Sequence, residues 1–424
     1  MAGGDSRSRP DTRGYVGRFY AYHLLAVLAQ GIYFPIQILF LVDRGFDMAA
    51  IFFFAAMMNV SMLALEIPTG IVADKISRKW SVSAGLVFQG LWALIAVAST
   101  SYFLMLAGFI SFGLGKTLRS GADSALLYDA MKSEGTESEF QRVIGNSFAL
   151  TSVGNVAGNI LCGVIVSFAG LAVPIWAGLA LFLVAATLPA SMKEPAMLDE
   201  ARSRDRAVGF RAQASSYFRH MIESLRFIRA VSALSFLVFI YLVVFRLCTQ
   251  PQAYFAQPYL DSHALGSEQI SYFYAGLSAI SALFAKYSAR IKAYLGGTER
   301  RTLFSIVLVG VVALVALANA PSAFIGMLAF VGFNIAHGLF VPFIQDSLNR
   351  RIPSEMRASC LSVASAGQAV LGIIVSPLLG SVIDAYSLRT GLFVFQWTFL
   401  GLLFVGLLWG WRALASATDR RTPP

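Results

Sequence analysis

Apolar runs of membrane-spanning length recur along this chain, separated by short polar breaks. The first six cover residues 19–42, 48–73, 80–98, 102–131, 143–168 and 173–192. A longer polar stretch, 193–230, follows them, and six further runs come after it: 231–259, 267–295, 302–319, 322–350, 357–384 and 388–412. A helical span needs about 20 mostly apolar residues, whereas a membrane barrel shows alternating segments of about ten. The pattern predicts an all-α membrane protein with 12 transmembrane helices in two six-helix bundles, 19–192 and 231–412. Residues 1–18 and 413–424 are then polar tails and 193–230 a linker. In the linker, Tyr217, Met221, Leu225 and Ile228 recur at helical spacing, which suits a helix lying on the membrane face.

Composition removes the soluble alternative. Of the 424 residues, 57% are hydrophobic and 13% charged, against about a quarter charged in ordinary soluble domains. The first 18 residues are polar and arginine-rich, and no removable signal peptide is visible in them. A net charge of +10 raises the question of nucleic acid, and the placement of the charge answers it. When the polar breaks are assigned to alternate sides, one side collects Arg7, Arg9, Arg13 and Arg18, then Lys75, Arg78 and Lys79, the basic residues of 193–229, Arg300 and Arg301, and Arg350, Arg351 and Arg357. The opposite breaks hold only Arg44 and Arg389. By the positive-inside rule both termini are expected in the cytoplasm, so the basic excess is a topology signal and no nucleic-acid partner is expected. Cys162, Cys248 and Cys360 all fall inside spans and read as small core residues, with neither a disulfide set nor a metal site expected. No H-E-x-x-H, Walker loop or nucleophile elbow occurs, and His23, His220, His263 and His337 are scattered, so the chain is not expected to be an enzyme.

Between the second and third runs the sequence reads Gly70-Ile71-Val72-Ala73-Asp74-Lys75-Ile76-Ser77-Arg78-Lys79. It resembles the loop pattern G-x-x-x-D-[RK]-x-G-[RK]-[RK] of the major facilitator superfamily. Gly70, Asp74, Lys75, Arg78 and Lys79 fill their places, and Ser77 stands where the family has its second glycine. Six spans, a linker and six spans is also that family's architecture. The resemblance implies a secondary transporter working by alternating access in the bacterial inner membrane. Its partners would be the lipid bilayer and a small-molecule substrate, and a monomer with no cofactor and no metal is expected, the proton serving as coupling ion. The resemblance further implies a gating latch in which Asp74 faces the start of the eleventh span near residues 354–359 and Arg78 pairs with Asp129. A carboxylate beside a helix N-terminus gains about 0.3–2 kcal/mol. The other reading is that these charges only fix topology and cap helices.

The fifth span carries Gly145, Gly154, Gly158, Asn159, Cys162 and Gly163. These intervals resemble the antiporter motif G-(x8)-G-(x3)-G-P-(x2)-G-G, with Asn159 in place of the proline and Cys162 in place of a glycine. Small residues so spaced also let helices pack closely, so export and plain packing both remain open. Glu66, Arg119 and Asp123 are ionisable residues inside apolar runs, where such groups are expensive. Taken on continuous helices at 1.5 Å per residue, Glu66 lies about 12 Å before Asp74 and Asp123 about 9 Å before Asp129. Arg119 and Asp123 at i, i+4 would share a face, with Glu66 as a competitor for the arginine. They are candidates for proton coupling or, alternatively, a permanent ion pair between the second and fourth spans. The family's R-x-x-x-G element in the fourth span is not matched, since Phe109 precedes Gly113.

The family arrangement also implies a central cavity lined by spans 1, 4, 7 and 10. Its candidates are Gln30, Tyr33 and Gln37, then Arg246, Gln250 and Tyr254, then Asn334 and His337 among Phe333, Phe340 and Phe343. Aromatic walls with a few polar groups suit an amphipathic organic ligand, and Arg246 favours an anionic or zwitterionic one; ordinary packing is the other reading of each residue. A faint internal repeat relates Asp129 to Asp346, Arg142 to Arg357 and Gly154 to Gly367, as transporter folds lead one to expect. The loop from Gly296 to Arg301 keeps glycine and paired arginines but no aspartate. The expected function is proton-coupled efflux of small amphipathic organic compounds. Two alternatives stand beside it: an importer or facilitator of a small organic solute, anions included, and a receptor or scaffold that transports nothing.

Overall fold

The structure is a computed structural model that describes residues 12–192 and 210–418. The N-terminal arginines Arg7 and Arg9 and the linker residues 193–209 lie outside the described residues, as does the side chain of Asp74. No strand occurs among the described residues. In hydrocarbon every backbone N–H and C=O must find its partner inside its own segment, and apolar runs of this length therefore become helices. The chain is all-α with the twelve-span arrangement. Its first half comprises α1 (Thr12–Gly31), α2 (Gln37–Asp43), α3 (Met48–Lys75), α4 (Arg78–Ala98), α5 (Tyr102–Arg119), α6 (Ala122–Ser133), α7 (Phe140–Ala169) and α8 (Ala172–Ala190). After α9 (Phe210–Ala230) come α10 (Ser232–Gln250), α11 (Ala256–Asp261), α12 (Ser267–Tyr294), α13 (Glu299–Ala318), α14 (Ala323–Asn349), α15 (Arg357–Ala385) and α16 (Leu388–Thr418).

Ten stretches of the described residues are long and apolar enough to cross a membrane on length and composition alone. The two spans below that mark are α5 with α6, which carry Lys116, Arg119 and Asp123, and α12, which carries Lys286, Arg290 and Lys292. Ionisable side chains lower their hydropathy, and in a span such residues mark function.

Three spans depart from continuous helix. The first is interrupted by a 3-10 turn at Phe34–Ile36, and the seventh by a π-helical turn at Pro251–Phe255. Each break holds a proline, Pro35 or Pro251, which lacks an N–H and crowds the preceding turn. Their separation is within one residue of that between Asp129 and Asp346, so the repeat is visible in the backbone. The fourth span, expected as one helix over 102–131, is instead two. Gly121, at φ +76°, separates α5 from α6, and only glycine takes that left-handed conformation without steric cost. The tenth span, its repeat mate, runs unbroken as α14.

By packing, the chain forms two compact units. The first comprises Met1–Phe34, Ser61–Leu161 and Ala172–Ser215; the second comprises Pro35–Val60, Cys162–Leu171 and Ser216–Pro424. This division departs from 19–192 and 231–412 because residues 35–60 and 162–171 cluster with the C-terminal spans. In the first unit α4 and α5 are stitched by hydroxyls: Ser111 Oγ donates to the Phe88 carbonyl at 2.8 Å and Ser81 Oγ to the Leu118 carbonyl at 2.7 Å. In the second unit, the Ile38 N–H donates to Gln257 Oε1 at 2.7 Å. The start of α3 is capped by two carboxylates there. Met48 and Ala49 N–H donate to Asp384 at 3.1 and 2.5 Å, and Ala50 N–H donates to Asp47 at 2.7 Å. Three of the four N–H groups that a helix start leaves open are thereby satisfied. The most exposed side chains include large apolar ones, such as Phe103, Phe168 and Trp397, as a surface against lipid requires.

Candidate functional site

The break at Gly121 builds the site. Lys116 and Arg119 fall in the last turn of α5, and Asp123 in the first turn of α6. Cations are favoured at a helix C-terminus and anions at an N-terminus, so each of the three sits at the end that suits its charge. Arg119 Nη2 lies 3.3 Å from Asp123 Oδ2. The i, i+4 pair expected on one continuous helix thus forms across a joint. Arg119 Nε and Asp123 Oδ1 are buried and have no hydrogen-bond partner.

These groups line a cavity of about 380 Å³ in the first unit, within the range of small-molecule sites. α1 contributes Phe19, His23 and Gln30, α4 contributes Gln89, and α7 contributes Ile144, Ser147 and Phe148. His23 Nε2 is 2.9 Å from Thr151 Oγ1, while its Nδ1 is buried without a partner. The wall is therefore partly aromatic and partly polar, with three buried polar atoms unsatisfied. Sequence reasoning singled out Gln30, Arg119 and Asp123 but missed Lys116, His23 and Gln89. The signal for Lys116 was present, namely a lysine one turn before Arg119 inside an apolar run.

Glu66 is not brought into this cluster, and among the described residues it makes no ion pair. Its expected competition for Arg119 is not seen, since Arg119 pairs with Asp123, four residues on. Tyr33 and Gln37 do not continue the stripe of Gln30, since the turn at Phe34–Ile36 interrupts it. Tyr33 is buried against Trp92, with ring centroids 4.8 Å apart, and Gln37 belongs to the second unit.

Of the loop motif, Arg78 forms an ion pair with Asp129, as the resemblance implies for these two residues. Lys79 Nζ donates to the Met192 carbonyl at 3.1 Å. Lys75 belongs to the last turn of α3, and Gly70 lies in the same helix with open space around it. In the repeat, Asp346 is met by Lys292 at 3.3 Å and Arg350 at 2.8 Å. Lys292 follows Lys75 by the same interval as Asp346 follows Asp129. Arg351 pairs with Glu299 at 2.6 Å, so an acid stands near the place where the loop has lost its aspartate.

In the second unit Arg246 Nε donates to Gln368 Oε1 at 3.1 Å. Gln250 Nε2 donates to Ser376 Oγ at 3.0 Å. The Tyr254 ring lies 4.6 Å from that of Phe52. Asn334 Nδ2 donates to the Phe330 carbonyl of its own helix at 2.9 Å, and His337 Nδ1 is 3.2 Å from Ser281 Oγ. The glycines of the fifth span divide by role. A Cβ on Gly158 would stand 2.9 Å from the Gly31 backbone, and one on Gly154 would meet Val27 and Leu24, whereas Gly145 faces open space. α1 and α7 therefore approach closely through Gly31, Gly154 and Gly158. Gly163 abuts Tyr272 within the second unit, and Asn159 is buried.

A family model for the Major Facilitator Superfamily matches residues 19–377. The chain belongs to that superfamily. Among curated relatives of this superfamily member, an uncharacterized MFS-type transporter, YxaM of Bacillus subtilis (strain 168), is 32% identical over 105 residues. That match spans 24% of this chain and 26% of the relative's length. Solved transporter structures share its fold at low identity. A bacterial homolog of the human lysosomal transporter Spinster superposes with a TM-score of 0.72 at 15% identity, covering 97% of this chain and 99% of that one. The nucleoside transporter NupG gives 0.70 at 16%, covering 93% and 98%, and a D-xylose-proton symporter gives 0.65 at 12%, covering 92% and 97%. The chain is a multi-pass membrane protein of the major facilitator fold.

Proposed function

We propose that this transporter exchanges protons for a small amphipathic organic solute by alternating access, with Asp123 as the coupling acid and export as its direction. One observation carries the reading. Asp123 sits at the wall of a cavity in a membrane-spanning segment, shares one oxygen with Arg119, and leaves the other without a partner. A carboxylate so placed has two ways to be satisfied, by the guanidinium or by a proton, and switching between them links proton occupancy to the state of the cavity. Export is supported by the interval match of the fifth-span glycines. The basic loops support cytoplasmic termini and residence in a bacterial inner membrane, with the bilayer and the solute as partners and a monomer as the working form.

The test uses full-length protein in liposomes with an imposed pH gradient and a set of fluorescent dyes that includes cations and anions. Wild type is expected to concentrate at least one dye against its gradient, and a protonophore to abolish this. Asp123→Asn should lose gradient-driven accumulation while still exchanging dye. Accumulation by Asp123→Asn at the wild-type rate, or flux indifferent to the proton gradient, would overturn the assignment.

A further inference from the structure

The cavity of the first unit holds more positive than negative charge. Arg119 is matched by Asp123, but Lys116 makes no salt bridge among the described residues. Its ammonium lies 5.5 Å from the Phe112 ring centroid, and its side chain is half-buried in the cavity wall. The carbonyl end of α5 offsets part of this charge, about half an elementary unit shared with Arg119. A positive excess remains in a span, where an unmatched cation is costly and is retained for function. Beside it, Arg119 Nε is a buried donor with nothing to donate to. One acceptor group reaching both would complete the site. Phe19, Ile144 and Phe148 stand on the same cavity and offer an apolar surface to the rest of such a molecule.

We infer that this cavity binds an amphipathic organic anion, its carboxylate received by the Lys116 ammonium and the Arg119 Nε–H. The inference rests on the transport reading of the same cavity and narrows its substrate class. The guanidinium then serves two anions, Asp123 and the ligand, so the ligand's arrival loosens the Arg119–Asp123 pair. Charge-assisted hydrogen bonds to an oxyanion are roughly twice as strong as neutral ones. An otherwise identical amide should therefore bind at least about tenfold more weakly.

The experiment measures binding of dansylglycine and dansylglycinamide, by dansyl fluorescence, to full-length protein in phosphatidylcholine nanodiscs. Wild type should prefer the carboxylate by at least about tenfold. Lys116→Met should lose that preference, binding the amide within about twofold of wild type, which also reports a folded protein. Lys116→Arg should keep the preference. Equal affinities in wild type, no dansylglycine binding, or a preference surviving in Lys116→Met would each overturn the inference. Nanodiscs containing phosphatidylglycerol separate the two sources of an oxyanion. If that lipid displaces the Lys116-dependent binding, the cavity belongs to a headgroup and the solute assignment fails; unchanged binding supports it. The outcomes also separate from those of the flux test. A Lys116-dependent preference without proton-driven flux sinks the transport reading alone, and proton-driven flux without the preference sinks this one alone.

Discussion

Arg78 and Asp129 meet at the junction of α4 and α6, each with about a fifth of its side chain exposed. Water screens such a pair only in part, so its coupling should exceed that of a surface ion pair and reach about 1 kcal/mol. A double-mutant cycle of Arg78→Ala and Asp129→Ala on the unfolding midpoint in detergent should recover that coupling; strictly additive losses would reduce the contact to a topology signal. Much of this scale was legible beforehand. Arg119 and Asp123 declared themselves as charges inside an apolar run, and Arg78 found Asp129 through a loop pattern. Lys116 was passed over although it stands near the middle of the expected span 102–131, one turn before Arg119, where a cation carries the same warning as its neighbour. Glu66 misled for a different reason. Depth can be counted along a helix, but the neighbour that a carboxylate meets depends on how that helix is turned.

At the scale of elements, apolar length predicted the helices and missed their joints. A glycine inside a run costs only about 1 kcal/mol relative to alanine in a helix, so Gly121 by itself does not announce a break, and packing decides it. Pro35 and Pro251 were more readable, since proline removes a donor wherever it stands. The joint at Gly121 has no counterpart in α14; the first-half cavity is lined from both sides of that joint, whereas the cavity of about 390 Å³ in the second half meets Lys292, Asp346 and Arg350 along unbroken helices. The fifth-span motif yields a prediction at this scale. Gly158→Leu would force α1 and α7 apart and should destabilise the protein by about 1–3 kcal/mol, seen as a lower unfolding midpoint and poorer yield. Gly145→Leu, the same change in the same motif, has open space and should be tolerated. Equal damage from both would show that close packing is not what the spacing serves.

Across the whole molecule, the linker separates two sets of six spans in sequence, yet residues 35–60 pack with the C-terminal spans. Periodicity has no access to this, because the contacts responsible join residues far apart in the chain, Asp384 to the start of α3 above all. Asp384→Ala should cost about 1 kcal/mol and lower the unfolding midpoint. Asp384→Asn, which keeps one acceptor oxygen, should cost less. A midpoint unmoved by the alanine would mean that the cap adds nothing to the second unit.

The charges in the fourth span also bear on how the protein is made. An insertion machine partitions each emerging segment between water and lipid, and an ionised residue near a segment's middle penalises insertion by about 2.5–3.5 kcal/mol. With Lys116 and Arg119 near the middle of the fourth span, that span enters the bilayer less readily than the apolar segments before it. α4 is synthesised just ahead and offers the Phe88 carbonyl and Ser81 Oγ as ready partners. Biogenesis of the first half thus becomes sequential, with the third span waiting in the membrane as the template on which the fourth is received.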